Sequence, residues 1–368
     1  MNRRQDRFQN PYQNFSTNYA GKHKAVSASY EMFTPPRRNF KPLLLILLLF
    51  ALLIGGSLLY STIVGRMVSV SEVSALIPGL PKEFEGYTIL HISDLYGARF
   101  GEKQADIAKA VAGKSYNLVC ITGDMLADDE DPQPFYELLT ALGEKRPVLF
   151  IAGENDPNPL EGESSLADSV LAPFILGAQQ RSAVYLDAPY CVESGEQRLW
   201  FTPDSALSLD LDAAEQTYQA QLGRAITPVQ QKTALYQLDR IERIREARER
   251  MAAEDTYVVL SHMPLKASFV RGMTTTRTEG KSATLIGMID LVLAGHYNGG
   301  QARLPFLGPI YVSGYGLFPG EGVVEGLVTS GTLTQHISPG LGVRPDTAPP
   351  MRLFNPPTVT LVKLTAAR

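Results

Sequence analysis

Five short apolar runs, each ending in an acidic residue or a histidine, constrain the fold of this chain most. They are YTILHISD (87–94), NLVCITGD (117–124), PVLFIAGEND (147–156), TYVVLSH (256–262) and DLVLAGH (290–296). Segments with helical spacing, EKQADIAKAVAGK and PFYELLTALGEK, separate the first three runs. This alternation predicts an α/β fold, in which polar residues at the carboxyl ends of strands form the site. Later strand-like runs, PIYVSGYG and TVTLVKL, predict a second sheet packed against the first.

An uncharged run, PLLLILLLFALLIGGSLLYSTIV, extends from Pro42 to Val64. As a helix it would measure ~35 Å, enough to cross a ~30 Å hydrocarbon layer. Lysine and arginine greatly outnumber acidic residues before this run, which predicts a cytoplasmic N-terminus. We therefore expect a single-pass protein of the cell membrane whose main domain is extracytoplasmic. A cleaved signal peptide and a twin-arginine export signal, based on RRNFK (37–41), are the alternatives.

The rest of the chain divides by composition around this run. We predict a disordered basic cytoplasmic tail (1–41), a transmembrane helix (42–64), a linker (65–86) and a main domain (87–368). Within the main domain, a helical insert is expected at about 204–254, as an amphipathic helix across the domain. The net charge of −4 and the absence of a basic stripe in the main domain indicate no nucleic-acid partner.

The apolar runs supply a set of candidate metal ligands at their carboxyl ends. An acidic residue after a strand often caps the following helix, and a single histidine is more often structural than a ligand. Carboxylates and imidazoles that converge from several strand ends are a typical ligand set for Mn, Fe or Zn. The candidates are Asp94, Asp124, Glu154, His262 and His296.

The order and spacing of these residues resemble the calcineurin-like metallophosphoesterases. The signature of that family is Asp-x-His, Gly-Asp, Gly-Asn-His-Asp/Glu, a strand-final His and Gly-His-x-His. The resemblance runs from about Tyr87 to the C-terminus and is greatest to the membrane-anchored bacterial branch, because GHYNGGQARLPFLGP resembles that branch's GHTHGGQ. It implies a four-layer α-β-β-α sandwich with two metal ions bridged by an aspartate. It also implies that a hydroxide attacks phosphorus while a histidine assists the leaving group.

Three histidines of the signature are replaced in this chain. Tyr96 stands for the histidine of the first motif, Asn155 for the catalytic histidine, and Asn298 for the second histidine of Gly-His-x-His. Glu154 stands where the family has asparagine, and it supplies an anionic oxygen. The residues that match the signature are Asp94, Asp124, His262 and His296.

These replacements affect the two implied metal positions unequally. In the family, the first position takes the Asp-x-His pair, the bridging aspartate and the last histidine, so Tyr96 and Asn298 remove half of its ligands. The second position corresponds to Asp124, Glu154, His262 and His296, all of which can coordinate. We therefore predict one divalent ion (Mn, Fe or Zn) per chain, with Asp94 as a further candidate ligand and Asp124 and Asn155 as the candidate catalytic groups. The hydroxyl of Tyr96 and the amide of Asn298 are expected to fill the first position with hydrogen bonds.

Three functions are compatible with this pattern. The first is an extracytoplasmic phosphoric ester hydrolase that uses one metal ion and is weak or specialised, because the general acid is missing at Asn155. The second is a catalytically inactive relative that binds a metal or a phosphate-bearing ligand. The third is a membrane-tethered interaction protein that uses the helical insert. A small phosphate ester or a lipid-linked phosphate of the envelope is the expected substrate class, and the membrane is the expected partner.

Overall fold

A computed structural model describes residues 40–128, 130–160, 169–266, 289–312, 315–319, 324–330, 333–344 and 351–367. The predicted tail (1–41) therefore lies outside the described residues except at its end. One helix of the described residues, α1 (Lys41–Val64), is long and apolar enough to cross a membrane. Leu52–Arg368 form one compact unit, and the part of α1 before Leu52 is described apart from it.

Two six-stranded sheets form the main domain. Across the first sheet the order is β1 (Ser69–Ile77), β16 (Thr358–Ala366), β2 (Thr88–Ile92), β3 (Leu118–Ile121), β4 (Val148–Phe150) and β5 (Ala183–Tyr185). Across the second sheet it is β14 (Gly326–Ser330), β15 (Leu333–Ile337), β9 (Leu291–Ala294), β8 (Thr256–Ser261), β7 (Gln197–Pro203) and β6 (Tyr190–Ser194). Strands β2 to β5 are mutually parallel, as are β7, β8, β9 and β15. Parallel strands bring their carboxyl ends to one edge of each sheet.

Side chains alternate between the two faces of each strand, and this places the core in layers. In β3, Leu118 and Cys120 face the second sheet, whereas Val119 and Ile121 face helices. The helices on that outer face are α2 (Ala105–Val111), α3 (Gln133–Leu142) and α4 (Pro173–Gln179). Leu199, Val258 and Leu291 of the second sheet complete the apolar layer between the sheets.

The outer face of the second sheet is covered by a long helix from the predicted insert. That insert contains α5 (Leu211–Arg224) and α6 (Pro228–Arg250), and Thr227 with Gln230 forms a capping box at the start of α6. Ile244 and Ala247 of α6 are buried, and Ala247 packs with Trp200 of β7. The layers are therefore helix, sheet, sheet and helix, and the predicted α/β fold is confirmed.

Three segments have places in the fold that differ from the prediction. The stretch 65–86, expected to be a linker, contains β1, which pairs in parallel with β16 along its whole length. Its alternating sequence SVSEVSALI suits a strand with one polar face. TVTLVKL, expected in the second sheet, forms β16 in the middle of the first sheet. PIYVSGYG contributes to two small hairpins outside both sheets: β10 (Arg303–Leu304) with β11 (Gly308–Pro309), and β12 (Tyr311–Val312) with β13 (Gly316–Leu317).

Cys120 lies within the apolar run NLVCITGD. Its thiol is free, fully buried on β3 and lies in the apolar layer between the sheets. Burial raises the pKa of this thiol well above its usual range, so the group stays protonated.

Candidate metal centre

The carboxyl ends of five parallel strands bring the predicted ligands together. Asp94 follows β2, Asp124 follows β3 and Glu154 follows β4, all in the first sheet. His262 follows β8 and His296 follows β9 in the second sheet. The two sheets therefore contribute carboxylates and imidazoles, respectively, to one site.

Several side chains of this site lie on backbone in the left-handed region. The φ angles are 57° for Asp94, 56° for Asp124, 75° for His296, 46° for Tyr96 and 51° for Asn298. Such conformations cost of order 1–3 kcal/mol for residues other than glycine, and they cluster at functional sites. Three of the five strand ends, those with Asp94, Asp124 and His296, share this conformation.

Two glycines in the strand-end motifs are required by close packing. A Cβ atom at Gly153 would lie 2.1 Å from Oδ1 of Asp124. A Cβ atom at Gly295 would lie 1.9 Å from Oγ of Ser93 and 2.5 Å from Oδ2 of Asp94. The glycines before Glu154 and His296 therefore allow neighbouring strand ends to approach each other.

Four predicted ligands form a continuous row of contacts, which we call the ligand row. Nε2 of His262 lies 3.1 Å from Oδ2 of Asp124 and 3.4 Å from Nδ1 of His296. Nδ1 of His296 lies 3.3 Å from Oε1 of Glu154. Donor atoms of Glu154, His262 and His296 lie within 4.8 Å of one another, and so do those of Asp94, Asp124 and His262. Two carboxylates and two imidazoles at this separation fit a divalent ion such as Mn, Fe or Zn.

The orientation of His262 suits a ligand. Its Nδ1 lies 2.8 Å from the carbonyl oxygen of Thr122, to which the Nδ1 proton is donated. In the neutral imidazole, Nε2 then carries the lone pair and faces Asp124 and His296. A carbonyl that holds the other ring nitrogen is the usual support for a metal-ligating histidine.

Electrostatics pair His262 with Asp124. Burial alone would lower the pKa of His262, but its hydrogen bond with Asp124 and the charge of Asp94 raise that pKa to about 9. Burial would likewise raise the pKa of Asp124, but the hydrogen bonds from His262 and Asn155 lower it to about 2. A divalent ion must therefore displace a proton from His262 to bind at neutral pH.

The neighbouring aspartate and histidine have opposite tendencies. Burial raises the pKa of Asp94 to about 6, and the charge of Asp124 adds to this shift. Burial also lowers the pKa of His296, which keeps its imidazole neutral and able to coordinate. Asp94 accepts the backbone N–H of His296 at 3.1 Å from both carboxylate oxygens. The carboxylate of Asp94 is therefore fixed in orientation by the backbone of His296.

The residues that replace two signature histidines are hydrogen-bonded to each other and to Asp94, and we call these three residues the hydrogen-bonded trio. The Tyr96 hydroxyl donates to Oδ1 of Asp94 at 3.3 Å, and it accepts Nδ2 of Asn298 at 3.1 Å. Both side chains are almost fully buried. Burial and the nearby charges of Asp94 and Asp124 raise the pKa of Tyr96, so its hydroxyl remains a donor. This arrangement is the one expected where a metal position is filled by hydrogen bonds.

Comparisons with known proteins give the family. The family model described as calcineurin-like phosphoesterase matches residues 87–298. The chain belongs to the calcineurin-like phosphoesterase family. Members of this family depend on metal ions, and two overlapping groups of candidate ligands are present among the described residues.

Individual relatives are more distant. The metallophosphoesterase YkuE of Bacillus subtilis (strain 168) is 36% identical over 76 residues, which is 21% of this chain and 24% of that protein. The match therefore spans about a quarter of that relative's length. A phosphopantetheinyl hydrolase from Mycobacterium tuberculosis aligns at 11% identity and a TM-score of 0.34, over 70% of this chain and 91% of that one. A dimetal phosphatase from Danio rerio aligns at 13% identity and a TM-score of 0.34, over 70% and 88%.

Asn155, the third replacement, contacts the ligand row directly. Its backbone N–H donates to Oδ1 of Asp124 at 2.9 Å, and its Nδ2 donates to Oδ2 at 2.7 Å. A carboxamide holds the aspartate in place but has no proton to deliver to a leaving group. In this calcineurin-like phosphoesterase, Asn155 therefore holds the candidate ligand Asp124 in place.

Two further residues shape the site, and the sequence reasoning assigned no role to either. Asp156 accepts four backbone N–H groups, from Gly153, Asp124, Met125 and Leu126, at 2.8–2.9 Å. It thereby fixes the loop that carries Asp124. Arg344 forms an ion pair with Glu154 at 2.8 Å, although 190 positions separate the two. No local spacing signals that pair, whereas the Asp after Glu-Asn was visible as part of the motif.

A buried histidine pair lies behind the ligand row. Nδ1 of His91 on β2 lies 2.8 Å from Nδ1 of His336 on β15, and both side chains are fully buried between the sheets. Nε2 of His91 lies 2.9 Å from Oγ1 of Thr122, the residue whose carbonyl holds His262. Burial lowers the pKa of both histidines, so this pair links the two sheets in its neutral form.

Proposed function

We propose that this chain is a membrane-anchored phosphoric ester hydrolase that works with one divalent ion, held by Asp124, Glu154, His262 and His296. The observation that carries the proposal is the ligand row, in which successive donor atoms are 3.1–3.4 Å apart. The hydrogen-bonded trio supports a single ion, because Tyr96 donates a hydrogen bond to Asp94 and accepts one from Asn298, at the two positions where the family has imidazoles.

The chemistry divides between the ion and the side chains. A bound divalent ion would polarise a phosphoryl oxygen and lower the pKa of water at neutral pH. Asp124 stays ionised and is fixed by Asn155, which keeps one carboxylate oxygen aimed at His262. Because Asn155 cannot protonate a leaving group, hydrolysis of poor leaving groups is expected to be slower by ~10²–10⁴-fold than with a general acid. The preferred substrates are therefore phosphate esters or anhydrides whose leaving group departs without help.

Location narrows the substrate class. Helix α1 supports a membrane anchor by its length and composition, and the excess of basic residues before it favours an extracytoplasmic main domain. A small phosphate ester or a lipid-linked phosphate of the envelope would reach such a site. The net charge of −4 argues against a nucleic-acid substrate.

A second candidate is a catalytically inactive relative that binds a metal or a phosphate-bearing ligand. It is favoured by Asn155 and by the ion pair between Arg344 and Glu154, which occupies one member of the ligand row with a fixed positive charge. The two candidates share the site and differ only in turnover.

Metal content and hydrolysis together test the proposal. The full-length protein is purified, loaded separately with Mn, Fe and Zn, and assayed with nitrophenyl phosphate mono- and diesters, with Asp124→Asn as the isosteric control. One equivalent of metal and hydrolysis that Asp124→Asn abolishes would support the hydrolase. Two equivalents per chain would contradict the single metal position. One equivalent without turnover on either ester would favour the second candidate.

A further inference from the structure

Two short hairpins beside the site expose an unusual concentration of large apolar side chains. Five of them, which we call the apolar hairpin surface, are Phe306, Leu307, Tyr311, Leu317 and Phe318. The Phe306 side chain is completely exposed and that of Leu317 is 70% exposed. Single exposed apolar residues are common, whereas several within a short stretch of chain can mark an interaction site.

The hairpin geometry makes two of these side chains neighbours and places the others close to them in the chain. Tyr311 and Leu317 are cross-strand partners in the β12–β13 hairpin, so their side chains share one face. The N–H of Phe318 donates to the carbonyl of Ile310 at 3.0 Å, which continues the pairing. Phe306 and Leu307 form the turn between β10 and β11, directly before this hairpin.

The same hairpins are connected to the end of helix α1. The N–H of Arg303 in β10 donates to the carbonyl of Leu353 at 2.9 Å. The next residue, Phe354, has its ring 5.4 Å from that of Tyr60, and its N–H lies 3.4 Å from Oγ of Ser61. The hairpins therefore adjoin the segment that contacts the last two turns of α1.

The short connection after α1 limits how far the domain can stand from the membrane. Helix α1 ends at Val64 and β1 begins at Ser69, so four residues separate them. Four extended residues span at most ~14 Å, about the thickness of the headgroup region and its immediate surroundings. A surface next to the end of α1 is thus within reach of the lipid headgroups.

We propose that the apolar hairpin surface lies in the headgroup layer of the membrane that α1 anchors, so that the metal centre opens toward phosphate groups at that surface. Aromatic and leucine side chains are the ones that partition into this layer. A row of rings leads from the hairpins to the site: Tyr315 lies 5.3 Å from Tyr297, and Tyr297 lies 5.1 Å from His296. This inference rests on the proposed membrane anchoring and not on the proposed hydrolysis.

Lipid-quenching of a fluorescent label tests the proposal on the full-length chain. Phe306→Cys and, in a separate protein, Leu317→Cys are labelled with bimane in a Cys191→Ser background. The proteins are reconstituted in vesicles of phosphatidylcholine and phosphatidylglycerol that contain a lipid with a nitroxide near the headgroup. Ile226→Cys is the matched control, because Ile226 is apolar and 92% exposed at the tip between α5 and α6.

The outcomes separate the surface from the anchor. We expect quenching at 306 and 317 to exceed that at 226 by at least about twofold, because interfacial side chains sit ~5–10 Å into the boundary of the acyl chains. Equal quenching at the three positions in protein that floats with the vesicles would overturn the proposal and leave the anchoring intact. Protein that does not float with the vesicles would refute the anchoring and the proposal together. In a parallel sample the cysteine of Phe306→Cys carries a nitroxide instead of bimane. Strong spin–spin coupling between two copies of that protein, without lipid quenching of the bimane-labelled protein, would assign the surface to a dimer and overturn the proposal as well.

Discussion

The two halves of the candidate site have the same strand-end architecture and opposite chemistry. In the hydrogen-bonded trio, Asp94 contacts a hydroxyl and a backbone N–H, and Asn298 completes the cluster through Tyr96. In the ligand row, the charged groups Asp124 and Glu154 contact imidazoles. In the first half, Asp94 is held by hydrogen bonds from neutral groups, whereas in the second half two carboxylates lie next to imidazoles that can also coordinate a cation.

Asp94 and Asp124, one in each half of the site, differ in how strongly their hydrogen bonds offset the effect of burial on their pKa values. Asp94 is fully buried with neutral donors, so burial dominates and its pKa is raised to about 6. Burial would also raise the pKa of Asp124, but the hydrogen bonds from His262 and Asn155 have the larger combined effect and lower that pKa to about 2. Replacing two imidazoles with Tyr96 and Asn298 therefore allows one aspartate to be neutral in mildly acidic conditions while its neighbour stays ionised.

The largest expected effect comes from converting the trio into a second metal position. Tyr96→His, Asn155→His and Asn298→His together should raise metal content from one to two equivalents per chain. The restored general acid should increase hydrolysis of a diester with an alkoxide leaving group by ~10²–10⁴-fold. Metal analysis and initial rates at saturating Mn measure both effects.

The leaving group provides the control for that experiment. A nitrophenyl diester needs little protonation, so its rate should rise much less than that of the alkyl diester. Asn155→His alone should reproduce the dependence on leaving group without changing metal content. A triple variant that still binds one equivalent would show that the trio is not a former metal position.

The next effect in size is the loss of metal from the ligand row. His262→Gln removes the residue that belongs to both candidate groups, and we expect metal affinity to fall by more than ~100-fold, beyond the range typical of residues behind a ligand. Asn298→Ala, in the trio, should change affinity little. Competition with a chromophoric chelator measures both. Similar losses in the two variants would remove the distinction between the halves.

Sequence reasoning reached the ligand row because its members belong to local motifs. Asp124 and His296 each follow a glycine at the end of an apolar run, and parallel strands must bring such ends together. The motif histidine that became Asn298 was likewise recognisable from its position alone. The local motifs therefore identified which residues form the site, but they did not show which of these residues contact each other.

The missed features depend on partners far apart in the chain. The ion pair of Arg344 with Glu154 and the buried pair of His91 with His336 have no spacing signal, because the fold alone brings their elements together. Strand β1 was taken for a linker since half of its residues are polar, and only its partner β16 explains its place. A periodic pattern predicts an element, but it does not identify the neighbour of that element.

In protein treated with a chelator, the free energy of unfolding should depend on pH in different ranges for the two halves of the site. The pKa of His262 is raised to about 9, so its contribution to stability is complete below 6.5 and is lost as pH rises through about 9. We expect the free energy of unfolding to fall by about 1–3 kcal/mol between pH 6.5 and 9. The pKa of Asp94, raised to about 6, acts in the same direction at lower pH, between 3.8 and about 6.

Urea unfolding at pH 6.5, 7.5 and 9 in the presence of chelator measures this slope. His262→Gln should lose most of it, because the substitution removes the imidazole whose pKa is raised in the folded protein. An unchanged slope in the variant would show that His262 is not protonated in the folded protein. Saturating Zn should also flatten the slope in the wild-type chain, since the ion replaces the proton.

The smallest effect concerns the trio itself. Tyr96→Phe removes the hydroxyl that donates to Asp94 and accepts from Asn298, and it keeps the ring in its buried place. We expect a loss of ~1–2 kcal/mol in the free energy of unfolding, the usual cost of leaving buried partners unsatisfied. Metal affinity should change little, because the interaction of the Tyr96 hydroxyl with Asp124 is small, and His262 and Asn155 still hold that carboxylate. Tyr297→Phe, whose hydroxyl lies at 3.5 Å from that of Tyr315 near the surface, is the matched control and should cost less. A Tyr96→Phe protein with native stability but weaker metal binding would place the tyrosine hydroxyl in the metal centre, and the two halves would then be one site.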